Sequence, residues 1–320
     1  MNEFLLSLEA FSKSICFQEK KMYLTYSEYI IYSVLPQRKY RNSYKDKLMK
    51  FPLVSLLAYY RAKKLYYSRL DMKTFYAYKN HLLENCNEYL SLYNSLADEE
   101  SKRVLVEVLK GRFSGDFRKA MSDSKQYFEE EIIQFKPNEV FVDCGAWVGD
   151  STDMFLKLNP YPATCYIIEP DMLSMACAKR NLSNKEGVFH YIQKGVSDQK
   201  ELLPFNGNGS SGASFEYIAD GSENEMELDI IDHIVQEPTT FIKMDLEGFE
   251  MKALLGAKMQ ISQYHPKLAI CIYHKPTDFI EIFKLIKSFD TTDQYKYYIR
   301  HYSPMHNETV LYAIPNRQVQ

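Results

Sequence analysis

Val142-Asp143-Cys144-Gly145-Ala146-Trp147-Val148-Gly149-Asp150 is the stretch that decides the fold. An apolar run, Val140 to Asp143, ends in an acid, turns tightly through two glycines, and leads into a helix opening at Asp150-Ser151-Thr152. Glycines at such a strand-to-helix turn let the backbone approach a ligand closely. In an open α/β sheet the ligand sits beyond the carboxyl ends of the strands, where the loops diverge. A ligand-free glycine turn has the same local sequence, so the neighbours must decide.

Downstream, short apolar runs alternate with helical stretches, the pattern of βαβ units feeding a parallel sheet. Strands are expected at Val140 to Asp143, Cys165 to Glu169, Phe189 to Gln193, Phe241 to Asp245 and Leu268 to Tyr273. Helices are expected near Ser151 to Leu158, Asp171 to Asn181, Glu247 to Met259 and Thr277 to Ser288. Two aromatic strands, Tyr295 to Tyr302 and Thr309 to Ile314, close the chain as an antiparallel hairpin at the sheet edge. Asn206 to Gly212 reads as a flexible loop.

Upstream, Met1 to about Phe135 has helical periodicity, few glycines and no alternating strand pattern. One helix starts near Ser95-Leu96-Ala97-Asp98 and stops at Gly111; a second runs from about Ser122 to Ile133. Two domains follow: a helical N-terminal domain, 1–115, and an α/β domain, 116–320. Between Arg38 and Lys79 basic residues interleave with aromatics, as in Lys63-Lys64-Leu65-Tyr66-Tyr67. Solvated helix faces with inward tyrosines account for this better than nucleic-acid contact. A third reading has this region recruit an anionic acceptor or cover the cleft.

The acids beside the glycine turn narrow the ligand. A dinucleotide turn would read G-x-G-x-x-G, with the pyrophosphate at the helix N-terminus. Here the glycines are four apart, and Asp143 and Asp150 flank them, which would repel a pyrophosphate and attract an ammonium or sulfonium. S-adenosyl-L-methionine carries both cations. The second strand delivers Glu169-Pro170 to the same edge, where a carboxylate can accept from two ribose hydroxyls. Ser197-Asp198, after the third strand, can contact an adenine edge. Asp245 ends the fourth strand, aimed at the cleft; Glu247 and Glu250 follow it and can equally be first-turn helix acids. His274 ends the fifth strand beside Asp245.

These residues together resemble the FkbM family of class I methyltransferases, which act mainly on hydroxyls of sugars, glycans and polyketide-type metabolites. The likeness covers about Tyr127 to Pro315. It is carried by Phe141 to Gly145, Ile168-Glu169-Pro170, Ile242 to Glu250, Tyr273-His274-Lys275-Pro276, Ile299 to Tyr302 and Glu308 to Ala313. The resemblance implies a Rossmann-like class I methyltransferase sheet, order 3-2-1-4-5-7-6, with the last strand antiparallel. It implies cofactor contacts along the glycine turn (Asp143, Gly145, Ala146, Gly149, Asp150, Ser151), at Glu169 and Pro170, and at Ser197 and Asp198, with an active edge at Asp245. The family often has Asn where Trp147 stands.

The expected reaction is direct displacement, with alignment as the protein's main contribution. Asp245 or His274 takes the proton, with Glu247 beside them. Alternatively Asp245, Glu247 and His274 hold a divalent metal that acidifies the acceptor hydroxyl. The acceptor is a small molecule or glycan, nucleotide-linked or lipid-linked acceptors included. Two other readings stay open: a nicotinamide-dependent oxidoreductase, and a binding module with a methyltransferase-like core. The formal charge of -3 gives no global case for nucleic acid. No apolar run approaches the ~20 residues of a membrane span. Glu3 and Glu9 stand where a secretory signal would be basic, and the six cysteines form no C-x-x-C pair, so a reducing, cytoplasmic setting is expected.

Overall fold

All six residues of β1 (Glu139–Cys144) are buried, as a strand covered on both faces requires. Side chains alternate across the sheet: Val140, Val142 and Cys144 join one core, Phe141 the other. On the second face Phe141 stacks on Phe155 with ring centroids 4.5 Å apart.

The computed structural model describes residues 72–114, 116–205, 207, 225–292 and 294–316. Lys63, Lys64, most of the basic stretch, Cys16 and all of the Asn206 to Gly212 loop but Gly207 lie outside them. Three helices come first: α1 (Met72–Glu84), α2 (Cys86–Ser95) and α3 (Glu99–Ser114). After β1 come α4 (Asp150–Leu158), β2 (Ala163–Ile168), α5 (Met172–Leu182) and β3 (Val188–Ile192). Three short strands follow, β4 (Gly195–Val196), β5 (Glu201–Pro204) and β6 (Glu225–Asp229), then the short α6 (Ile231–Ile234). The chain continues through β7 (Phe241–Met244), α7 (Glu250–Leu255), α8 (Lys258–Tyr264), β8 (Lys267–Cys271), α9 (Asp278–Phe289), β9 (Tyr295–His301) and β10 (Thr309–Pro315).

The main sheet has seven strands in the order β3-β2-β1-β7-β8-β10-β9. All pairs are parallel except those of β10, which runs antiparallel to β8 and β9. Counting only this sheet, that is the expected 3-2-1-4-5-7-6 order with the last strand reversed. The fold is a Rossmann-like class I methyltransferase sheet.

Three local expectations are corrected. Ser122 to Ile133 is not a helix: Tyr127 takes a left-handed φ of 68° and the segment folds as turns, such as Ile133 N–H to Glu129 C=O at 2.7 Å. The helix expected over Glu247 to Met259 starts later and is divided into α7 and α8 at Gly256, where a Cβ would collide with the Ser197 carbonyl oxygen. Gly111 does not end its helix, for α3 continues to Ser114; the glycine leaves room for the Phe117 ring, 2.6 Å from where a Cβ would be. A small sheet, β4-β6-β5, was not expected at all. Among the described residues no helix is long and apolar enough to cross a membrane.

Candidate active site

The glycine turn is fastened from both sides. Gly145 and Gly149 have φ of 75° and 76°, and a Cβ on Gly145 would strike the carbonyl oxygen of Asp245. Only glycine lets the ends of β1 and β7 come so close. Gly145 and Ala146 donate their N–H groups to Ile168 C=O at 3.0 and 3.1 Å. Trp147, itself left-handed at φ 45°, donates its N–H to Glu169 Oε2 at 2.8 Å. Asp171 N–H donates to Glu169 Oε1 at 2.8 Å. The buried Glu169 carboxylate therefore ties the end of β2 to the turn after β1, and each oxygen keeps a lone pair for a further donor. Burial raises its carboxyl above the ordinary range despite those two bonds. Pro170 beside it is half-buried.

Asp143 lies deeper than the sequence suggests. It is fully buried and accepts from Thr152 Oγ1 at 2.7 Å and Ser151 Oγ at 3.4 Å. Lys243 Nζ, on the neighbouring β7, is 3.1 Å from it and donates to Gly145 C=O at 2.8 Å. Burial pulls the Lys243 ammonium down, but Asp143 and Asp245 outweigh that and hold it above the usual lysine range. Asp143 therefore does not attract a ligand cation as the sequence suggests, because Lys243 already balances its charge. Asp150 is exposed at the first position of α4. Ser197 is also fully buried; its hydroxyl donates to Glu201 at 2.6 Å and Asp198 at 3.2 Å, anchoring the small sheet, whereas Asp198 is exposed.

The second half of the site gathers at the ends of β7 and β8. Asp245 accepts from Tyr127 Oη at 2.8 Å and Tyr273 Oη at 3.1 Å, one on each oxygen. Burial would raise its carboxyl, but Lys243, His274 and the two phenols hold it below the usual carboxylate range. His274 Nε2 is 3.5 Å from Asp245 and 3.6 Å from Glu247, and Nδ1 is 2.9 Å from Glu250. Burial lowers the imidazole, yet Glu250, Asp245 and Glu247 push it up to about 9. Glu247 has a left-handed φ of 52°, and burial lifts its carboxyl to about 7 against the pull of His274. Glu250 is buried and accepts from Leu246 N–H at 2.7 Å and Gly248 N–H at 3.1 Å. It is a helix-start acid, as one reading of the sequence held, and a partner of His274 besides. The donor atoms that cluster within 4.8 Å belong to Asp245, Glu250 and His274, so Glu250 takes the place expected of Glu247.

Residues 143–301 match the family model described as the methyltransferase FkbM domain. The crystal structure of the methyltransferase FkbM from Methylobacillus flagellatus is 25% identical, with a TM-score of 0.62 over 74% of this chain. Residues 143–301 are thus identified as an FkbM methyltransferase domain. It spans 60% of the length of that Methylobacillus structure. A methyltransferase from Pyrococcus furiosus is 13% identical at TM-score 0.35, over 56% of this chain and 76% of its own. Fibrillarin from Aeropyrum pernix, in complex with S-adenosyl-L-methionine, is 10% identical at TM-score 0.35, over 56% and 67%. At that overlap these two add nothing to the assignment. No curated protein matches the chain.

Every acid and the histidine singled out at the strand ends fall inside the FkbM match, Asp143 being its first residue. Sequence reasoning left Lys243, Tyr127 and Tyr273 without roles. Lys243 carried a signal, a charge inside the apolar run Phe241–Met244, since a lysine buried there needs a partner. Tyr127 carried none, because its bond to Asp245 spans 118 residues of chain.

Proposed function

We propose that this FkbM methyltransferase binds S-adenosyl-L-methionine at the glycine turn and transfers its methyl group to a hydroxyl of a sugar, glycan or related metabolite. The observation that carries the reading is the joining of three strand ends at one edge. The β1 turn presses on the Asp245 backbone, and Glu169 holds that turn through Trp147. The residues suit the cofactor: a glycine turn whose backbone packs directly on β7, a carboxylate at Glu169 with lone pairs for the ribose hydroxyls, and the exposed Asp198 for the adenine edge, with Ser197 holding its loop. The cofactor supplies an electrophilic methyl on a cationic sulfur, which leaves with the C–S electron pair as the acceptor oxygen forms the new O–C bond.

The chain's own work is alignment and proton handling. Asp245, with both oxygens taken by tyrosine donors, is an orienting group. Glu247 accepts the acceptor's proton in this reading, since its carboxylate is about a third exposed and reaches the edge from a left-handed backbone. Asp245, Glu247 and Glu250 at one edge disfavour a phosphate at the point of transfer. An acceptor that is nucleotide- or lipid-linked would keep its phosphates away from Asp245, and nucleic acid is a poor fit. The buried free thiols Cys144, Cys165 and Cys271 suit a reducing compartment, so a cytoplasmic location belongs to the same proposal.

The test is calorimetric titration with S-adenosylhomocysteine and with NADH, followed by methyl-labelled cofactor and a panel of sugars, nucleotide sugars and hydroxylated metabolites. We expect S-adenosylhomocysteine to bind, NADH not to bind, and one acceptor to gain the mass of one methyl. Asp245→Asn should abolish transfer while leaving S-adenosylhomocysteine binding measurable. NADH binding in place of S-adenosylhomocysteine would overturn the reading.

A further inference from the structure

We propose that Asp245, Glu250 and His274 form a binding site for a divalent transition-metal cation with mixed nitrogen and oxygen preference, Mn2+ or Zn2+. Three elements supply it. Asp245 follows β7, Glu250 opens α7, and His274 follows β8, and one donor atom from each falls within 4.8 Å of the others.

The imidazole of His274 points to the ligand independently of the acids. It is only 8% exposed, and three carboxylate oxygens stand 2.9, 3.5 and 3.6 Å from its two nitrogens. The Glu250 contact is an ion pair by distance, yet neither ring nitrogen meets the angular geometry of a hydrogen bond. A buried polar group without a well-formed hydrogen bond is costly to keep. A buried ring nitrogen and carboxylate oxygens that converge on one point from three elements are the donor set that a shared cation binds.

The surroundings hold the donors in place. Glu250 accepts from the N–H groups of Leu246 and Gly248, which fixes its carboxylate and leaves lone pairs on both oxygens. Asp245 is held by Tyr127 and Tyr273. Outer partners of this kind orient metal ligands and set their basicity. The nearby Lys243 ammonium pairs with Asp143 and acts on Asp245 at longer range. One imidazole with two carboxylates favours Mn2+ or Zn2+ over Ca2+, which takes oxygen alone. A cation there would acidify an acceptor hydroxyl, and Glu247, outside the grouping, stays free to receive the proton. That last role rests on the methyl-transfer reading; the binding site does not.

The experiment uses the full chain stripped with chelator and titrated with Mn2+, following the loss of the free-ion EPR signal, with Zn2+ as competitor. We expect one Mn2+ per chain, displaced by Zn2+, and binding weakened at least about tenfold in both His274→Gln and Glu250→Gln. S-adenosylhomocysteine affinity of His274→Gln should stay within about threefold of the parent, which shows that the variant is folded. No saturable site for either ion in the parent chain, or His274→Gln binding Mn2+ as tightly as the parent, would overturn the proposal and leave the histidine as an imidazolium among carboxylates. Metal binding without S-adenosylhomocysteine binding would sink the methyl-transfer reading alone.

Discussion

A lysine in the middle of a buried strand is a charge that something must balance, and Lys243 shows how tightly this site is wired. Its ammonium sits between the Asp143 carboxylate and the Gly145 carbonyl, with its nitrogen 5.1 Å from the centre of the Tyr127 ring. Replacing Lys243 with Met keeps the volume roughly and removes the charge, leaving Asp143 buried with the Ser151 and Thr152 hydroxyls as donors among the described residues. Breaking a buried pair in this way costs about 3–5 kcal/mol, whereas removing both charges is far milder. Urea denaturation should therefore place Lys243→Met well below the parent and Lys243→Met/Asp143→Leu above the single variant. A double variant that loses the sum of the two single losses would show that the pair is not coupled. At this scale the signal in the sequence is a residue type out of place for its element, as with Lys243, whose role shows only once its partner Asp143 is in view. Trp147 becomes intelligible only with the backbone in view. The position needs a left-handed φ, which Asn tolerates better than most residues, and its N–H rather than its side chain reaches Glu169.

At the scale of elements, legibility followed burial on both faces. The central strands read as continuous apolar runs and were placed to within a residue or two. β4, β5 and β6 are short, β5 is mostly half-buried and β6 runs from exposed to buried, so no alternation marked them. The segment 122–133 has helical periodicity, but its backbone is spent on tertiary contacts, such as Tyr127 N–H to Tyr312 Oη at 3.0 Å. The hairpin of β9 and β10 adds a pH dependence. His301 is buried, its ring stacks on Phe117 with centroids 5.4 Å apart, and Nδ1 is 2.8 Å from Thr309 Oγ1. Burial depresses its imidazole from 6.5 to about 4. Between those values the unfolded chain binds more protons than the folded one, so the stability from a neutral His301 is full above about pH 6.5 and drains away towards pH 4. The loss at the acid end is on the order of 3 kcal/mol. Melting curves from pH 7 to pH 4 should fall more steeply for the parent than for His301→Gln; parallel curves would remove His301 as the cause.

For the whole molecule, the question is whether residue 115 is a boundary. The sequence divides there because helical periodicity gives way to βαβ alternation, and periodicity cannot register what packs on what. In the structure the edge strand β9 is covered by the segment before that division. Ala97 N–H donates to Tyr297 C=O at 2.9 Å, Ile299 N–H to Ser101 Oγ at 3.0 Å, and Arg300 pairs with Asp98 at 2.8 Å. An edge strand left open exposes unpaired backbone groups and invites aggregation. Leu92, Leu96, Val104, Leu105 and Val108 are buried in the same core as Tyr297, Ile299 and Phe283. Burying each such side chain contributes about 1.5–3 kcal/mol, so five of them approach the ~5–15 kcal/mol net stability of a whole domain. We therefore propose that residues 72–114 are part of the methyltransferase fold rather than a detachable domain. A fragment of 116–320 should fail to melt cooperatively and should aggregate, while the full chain melts as one unit. If that fragment instead folds and binds S-adenosylhomocysteine as the full chain does, the division at 115 is a true domain boundary, and the cover over β9 is dispensable.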